Sequence, residues 1–148
     1  PDSYVKFKKN GTWVTYTALG ELGPDLADAS KTNFGVSATS NDQDVSFDIS
    51  IQVDGNNFAT GVYNSDNTSY WTVIGLFTGF KTGDMQHYDI TEAPGRAPSQ
   101  YQVTVTSITA NELQGTFTGN YLYNYFGNGT SADVVEITEG SFKVKRVR

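Results

Sequence analysis

Residues 4–16 read Tyr4-Val5-Lys6-Phe7-Lys8-Lys9-Asn10-Gly11-Thr12-Trp13-Val14-Thr15-Tyr16. Two alternating apolar and polar segments flank an Asn-Gly pair. The two-residue loop that fits such a pair is a type I′ turn, which needs positive φ at both central positions. Counting outward from the turn sets the register: Lys9 faces Thr12, Lys8 faces Trp13, Phe7 faces Val14, Lys6 faces Thr15 and Val5 faces Tyr16. Side chains alternate across a strand, so one face of the hairpin carries Val5, Phe7, Val14 and Tyr16, and the other carries Lys6, Lys8, Trp13 and Thr15. The first set is assigned to the core, and Trp13 falls on the outward face.

The same two-residue period continues along the chain. Val45, Phe47, Ile49, Ile51 and Val53 alternate with Ser46, Asp48, Ser50 and Gln52, the pattern of a half-buried antiparallel strand. Tyr101, Val103 and Val105 alternate with Gln102, Thr104 and Thr106, and the pattern slips at Ser107-Ile108, where a bulge or strand end is expected. The one helix candidate is a single turn over Asp25 to Ala29, following Pro24. Turn clusters at Ser40-Asn41-Asp42, Asp54-Gly55-Asn56-Asn57, Asn64-Ser65-Asp66-Asn67 and Gly127-Asn128-Gly129 punctuate successive strands, and Asp54–Asn57 reads as a hairpin turn. The expectation is one all-β domain over residues 1–148, with about nine or ten strands and at most one short helix. It forms either an antiparallel β-sandwich or a closed up-and-down β-barrel, the latter lipocalin-like if it keeps a ligand cavity.

Composition narrows the function classes. Charged residues make up 18 % and apolar residues 37 % of the 148, and with 15 glycines the chain lies in the globular range. A net charge of −6 opposes association with DNA, RNA or anionic headgroups. With no cysteine and a single histidine, His87, the chain offers no disulfide, no thiol nucleophile and no multi-histidine metal site, and no cofactor or metal is assigned. The Asp54–Asn57 loop has oxygen ligands but not the spaced acids of an EF-hand. No apolar run approaches the roughly 20 residues of a spanning helix. The opening Pro1-Asp2, without initiator Met or signal peptide, reads as a processed or trimmed product.

Several phrases then fit together: Phe7-Lys8-Lys9-Asn10-Gly11-Thr12-Trp13, Gly61-Val62-Tyr63, Gly115-Thr116-Phe117-Thr118-Gly119 and Ile137-Thr138-Glu139-Gly140-Ser141-Phe142-Lys143-Val144. Their order and spacing resemble small Bacteroidota cell-surface lipoproteins of unknown function. There a lipidated cysteine and a tether precede an opening Asn-Gly hairpin with a Trp after the turn. This sequence has no such cysteine. The resemblance implies a β-domain at the extracellular face of the bacterial outer membrane, or secreted, with a possible lipid anchor outside these residues. It also implies a subunit role in an outer-membrane nutrient-uptake or secretion complex, and it supplies no catalytic residue.

Aromatic residues form 14 % of the chain and are the more informative candidates. Trp13, Trp71, Tyr121, Tyr123 and Tyr125 are expected to contact a protein partner or a glycan, with Asn124 and Asn128 as hydrogen-bonding neighbours. The competing use of the three tyrosines is core packing, and that of Trp13 is a cation–π cap by Lys6 and Lys8. The reading is therefore a non-enzymatic binding or accessory module. Two alternatives stand beside it. One is a carrier of a small apolar ligand, which needs a hollow interior. The other is a small hydrolase using His87 with Asp84 or Asp89, though no Gly-x-Ser-x-Gly elbow accompanies them. The sixteen acids are otherwise explained by solvation of turns and edges.

Overall fold

The structure, a computed structural model, describes residues 2–66, 70–90, 100–124 and 134–148. Its strands are β1 (Tyr4–Lys9), β2 (Thr12–Pro24), β3 (Lys31–Thr39), β4 (Ser46–Asp54), β5 (Gly61–Asn64), β6 (Trp71–Thr78), β7 (Gln86–Asp89), β8 (Gln100–Ile108), β9 (Glu112–Asn124) and β10 (Val134–Arg146). All ten belong to one curled sheet, an all-β arrangement that agrees with the expected sandwich- or barrel-like fold.

The opening hairpin pairs as the turn chemistry requires. Asn10 and Gly11 take φ of 49° and 83°, and the partners run from Lys9↔Thr12 through Phe7↔Val14 to Val5↔Tyr16. Val5, Phe7 and Tyr16 are buried, whereas Trp13 is 48 % exposed. From there the ladder runs β1–β2–β3–β4–β6–β7–β9–β10 and returns to β1, every pair antiparallel. Past the end of β1, β10 meets β2 directly in a short parallel contact, Lys145↔Leu19 and Arg146↔Gly20. The circuit is uneven. β7 reaches β9 through Tyr88↔Asn124 and Asp89↔Tyr123, while the rest of that edge of β9 is taken by β8, on whose far side lies β5. The slip expected near Ser107 is a register shift between Val105 and Ser107.

The interior is filled by rings. Phe7 of β1 lies 4.8 Å from Phe47 of β4 and 5.9 Å from Phe117 of β9, centroid to centroid, and Phe34 of β3 lies 5.9 Å from Phe142 of β10. Across the sheet a Cβ on Gly119 would already touch the Ile74 Cδ1 at 4.0 Å. Where the ladder does not join β5 to β6, side chains bridge the gap. Phe58 stacks on Phe34 at 4.9 Å and on Tyr63 at 4.8 Å. The Tyr70 hydroxyl donates to the Asn64 carbonyl at 2.9 Å and accepts from the Asn64 N–H.

Two expectations are corrected. The helical turn over Asp25 to Ala29 does not form: β2 runs on to Pro24, paired with Thr32, leaving a tight connection to β3. There the Asp28 carboxylate accepts from the Ser30 N–H at 3.1 Å and hydroxyl at 2.5 Å, satisfying the backbone locally as a turn does. Asp54–Asn57 is no hairpin turn either. β4 pairs with β6, and the chain after Asp54 leaves to build β5 against β8.

A candidate binding face on the outer sheet

Five strands in lateral order, β2–β1–β10–β9–β8, present a continuous outer surface built from the polar phase of each alternation. At one side stands Trp13, with the Lys6 Nζ 4.5 Å and the Lys8 Nζ 5.2 Å from the centroid of its ring. Lys8 also pairs with Glu139, Nζ to Oε2, at 2.6 Å. Glu139 reaches it through a bulge. Between Thr138 and Ser141 β10 has one residue more than the Lys8-to-Lys6 stretch opposite, and the same excess faces β9 between Ile137↔Gly119 and Gly140↔Phe117. Glu139 takes the extra position with φ 51°, and Gly140 turns to the core, where a Cβ would sit 2.6 Å from Phe117. Beside the bulge the surface sinks into a groove of about 320 Å³ edged by Gln102, Thr104, Thr116, Thr118, Glu139 and Ser141. Hydroxyls, an amide and a carboxylate thus share one floor, the donor and acceptor mix that fixes a polyhydroxylated ligand, and the Lys8–Glu139 pair links that floor across β1 to Trp13.

The other nominated residues do not gather here. Trp71 opens β6 opposite Gln52, separated from β2 in the sheet by β3 and β4. Tyr121, Tyr123 and Asn124 lie at the far end of β9, where Tyr123 faces Asp89 and Val134, and Asn124 faces Tyr88. A bulge between Ile137↔Gly119 and Val135↔Leu122 resets the phase of that strand, and Leu122 between the two tyrosines is fully buried. Tyr125 and Asn128 lie outside the described residues.

On the opposite flank of the outer surface, the His87 Nε2 lies 3.4 Å from the Asp89 Oδ2, and the imidazole stacks on Phe77 with centroids 4.0 Å apart. Asp84 instead accepts from the Gln86 amide at 3.2 Å, so Asp89 is the carboxylate brought to His87. Gly75, which pairs with both Asp48 and Asp89, leaves room beneath these rings. Burial holds the Asp48 carboxyl above the ordinary carboxylate range, against the pull of hydrogen bonds from the Ser37 and Ser46 hydroxyls. A carboxyl raised in the folded state takes up protons on folding. Native stability therefore grows as pH falls through its folded pKa, and this gain is complete below the unfolded value near 3.8. Asp48→Asn should accordingly raise the urea midpoint at neutral pH, with the advantage vanishing on acidification below 3.8; a lowered midpoint at neutral pH would show that the serine bonds outweigh burial.

Among the described residues no three His, Asp or Glu side chains converge as a metal-holding group, and no helix is long and apolar enough to cross a membrane. Compared with known proteins, the chain matches no family model, no curated protein and no solved structure. Sequence reasoning placed Trp13, Lys6 and Lys8 on the outer surface but missed the groove across β10, β9 and β8. A glycine inside the alternating Ile137–Val144 segment is the signal that marks its bulge.

Proposed function

We propose that this chain is a non-enzymatic binding module of the bacterial cell surface, a lipoprotein-type domain at the outer membrane, that holds a glycan on the outer face of β2–β1–β10–β9–β8. The observation that carries the reading is the half-exposed indole of Trp13 on the same outer face as a groove of threonine, serine and glutamine side chains, the two linked across β1 by the Lys8–Glu139 pair. A pyranose stacks its C–H face on such a ring while its hydroxyls exchange hydrogen bonds with the groove. Service within a nutrient-uptake or secretion complex follows from the family resemblance of the opening hairpin and closing strands. The apolar-carrier alternative is disfavoured by the phenylalanine rings that occupy the interior. The hydrolase alternative keeps its His87–Asp89 pair at 3.4 Å, with the imidazole stacked on Phe77, but the sequence offers no Gly-x-Ser-x-Gly elbow to accompany it.

Glycan-array binding followed by calorimetry on the best ligand tests the reading. Trp13→Ala should weaken binding about tenfold or more, the loss of roughly 1.4 kcal/mol of stacking, while circular dichroism stays unchanged and Trp13→Phe retains most affinity. Trp71→Ala reports on the second tryptophan. If both alanine variants keep the fold and bind as the parent does, the aromatic-platform reading fails.

A further inference from the structure

The basic residues of this acidic chain are unevenly placed. Of its 10 lysines and arginines, Lys6, Lys8, Lys143 and Lys145 lie on the outer face of the adjacent strands β1 and β10, set there by the inward Val5, Phe7, Phe142 and Val144. Their acidic neighbours are few. Glu139 is held by Lys8, and Glu112, opposite Lys145 on β9, accepts from the Gln114 amide at 2.6 Å. Among the described residues Lys6, Lys143 and Lys145 make no ion pair.

Lysines on a sheet often guard an open edge against pairing with another chain. That explanation does not apply, because β1 lies between β2 and β10, and β10 between β1 and β9. The Lys6 and Lys8 ammonium groups lie 4.5 and 5.2 Å from the centroid of the same indole. Glu139 offsets Lys8 alone. An anion seated beside Lys6 would meet this local positive patch, although the chain's overall charge of −6 opposes polyanions at longer range.

Building on the glycan reading above, we infer that the ligand is an acidic polysaccharide, its sugar ring against Trp13, its carboxylate or sulfate at Lys6, and its next anionic group at Lys143 beyond Ser141. Ser141 lies opposite Lys6, and Lys143 lies opposite Tyr4 in the same ladder, so Lys6 on β1 and Lys143 on β10 are diagonal neighbours, one strand and one period-2 step apart. Uronate and sulfate esters share the required chemistry, an anion on a pyranose, and separate probes distinguish them.

Calorimetric titration of the intact protein with tetragalacturonate, a heparin tetrasaccharide, neutral maltotetraose and a single-stranded oligonucleotide of matched charge tests the inference. One of the two acidic sugars should bind at least tenfold tighter than maltotetraose, with affinity falling as salt rises. Lys6→Gln and Lys143→Gln should each lower that affinity about fivefold and flatten the salt dependence. Lys6→Arg should restore both, and melting curves should show that each variant is folded. Maltotetraose binding as tightly as the acidic sugars would overturn the acidic preference and leave the glycan reading intact. An oligonucleotide binding as tightly as the sugars would overturn it by showing that charge alone is read. Binding of no sugar here or on the array would defeat both.

Discussion

Phe7→Ala should cost about 3–5 kcal/mol of folding stability, read as a fall in the urea midpoint at unchanged slope. Phe7 has no exposed surface, and its ring meets those of Tyr16, Phe47 and Phe117 at 5.8, 4.8 and 5.9 Å. These partners come from β2, β4 and β9, so the ring touches three separate parts of the circuit and the void left by its removal cannot be closed by one strand moving. Domains of this kind hold only about 5–15 kcal/mol in total, and the variant is expected to be partly unfolded at physiological temperature. Phe7→Leu keeps most of the volume and should lose less than half as much. A loss below about 1 kcal/mol for the alanine variant, against the core range quoted above, would mean that the ring is not at the centre of the core.

Gly115→Ala is the second large effect, and its origin is the reverse: too much matter where there is no room. A Cβ at residue 115 would lie 2.3 Å from the Thr104 carbonyl oxygen, and 2.5 and 2.8 Å from two ring carbons of Phe142. The ring can turn away, but the carbonyl belongs to the β8 backbone, next to the shift between Val105 and Ser107. The expected cost is about 3 kcal/mol, the upper part of what overpacking exacts, or a melting temperature lower by about 6–12 °C for a domain of this size. Adding Phe142→Leu removes only the ring clash, so the double variant should not regain the melting temperature of Phe142→Leu alone. Full recovery would show that the backbone contact carries no cost.

The hairpin was legible because two neighbouring residues, Asn10 and Gly11, set a turn whose geometry dictates each pairing from Lys9↔Thr12 to Val5↔Tyr16. The alternation in β4 was legible for the same kind of reason, as Phe47, Ile49 and Ile51 reach the core through local periodicity alone. What escaped depends on partners distant in sequence. Nothing near Asp54 announces that β4 will pair with β6 while β5 crosses to β8, and nothing near Phe58 announces that its ring will stack between Phe34 and Tyr63. The helical turn after Pro24 looked plausible from composition, yet the ladder to Thr32 outcompeted one turn of weak propensity. The candidate site divides in the same way. Trp13, Lys6 and Lys8 follow from the register of one hairpin, whereas Glu139 and the groove threonines arrive from strands that close the circuit at the other end of the chain.

β5 ends the strand order and pairs, among the described residues, with β8 alone. It is four residues long, shorter than the six- or seven-residue segments that cross-β growth recruits. Among the described residues this end of the strand order therefore offers other copies of the chain almost no template, and concentrated protein should remain as separate particles instead of growing fibrils.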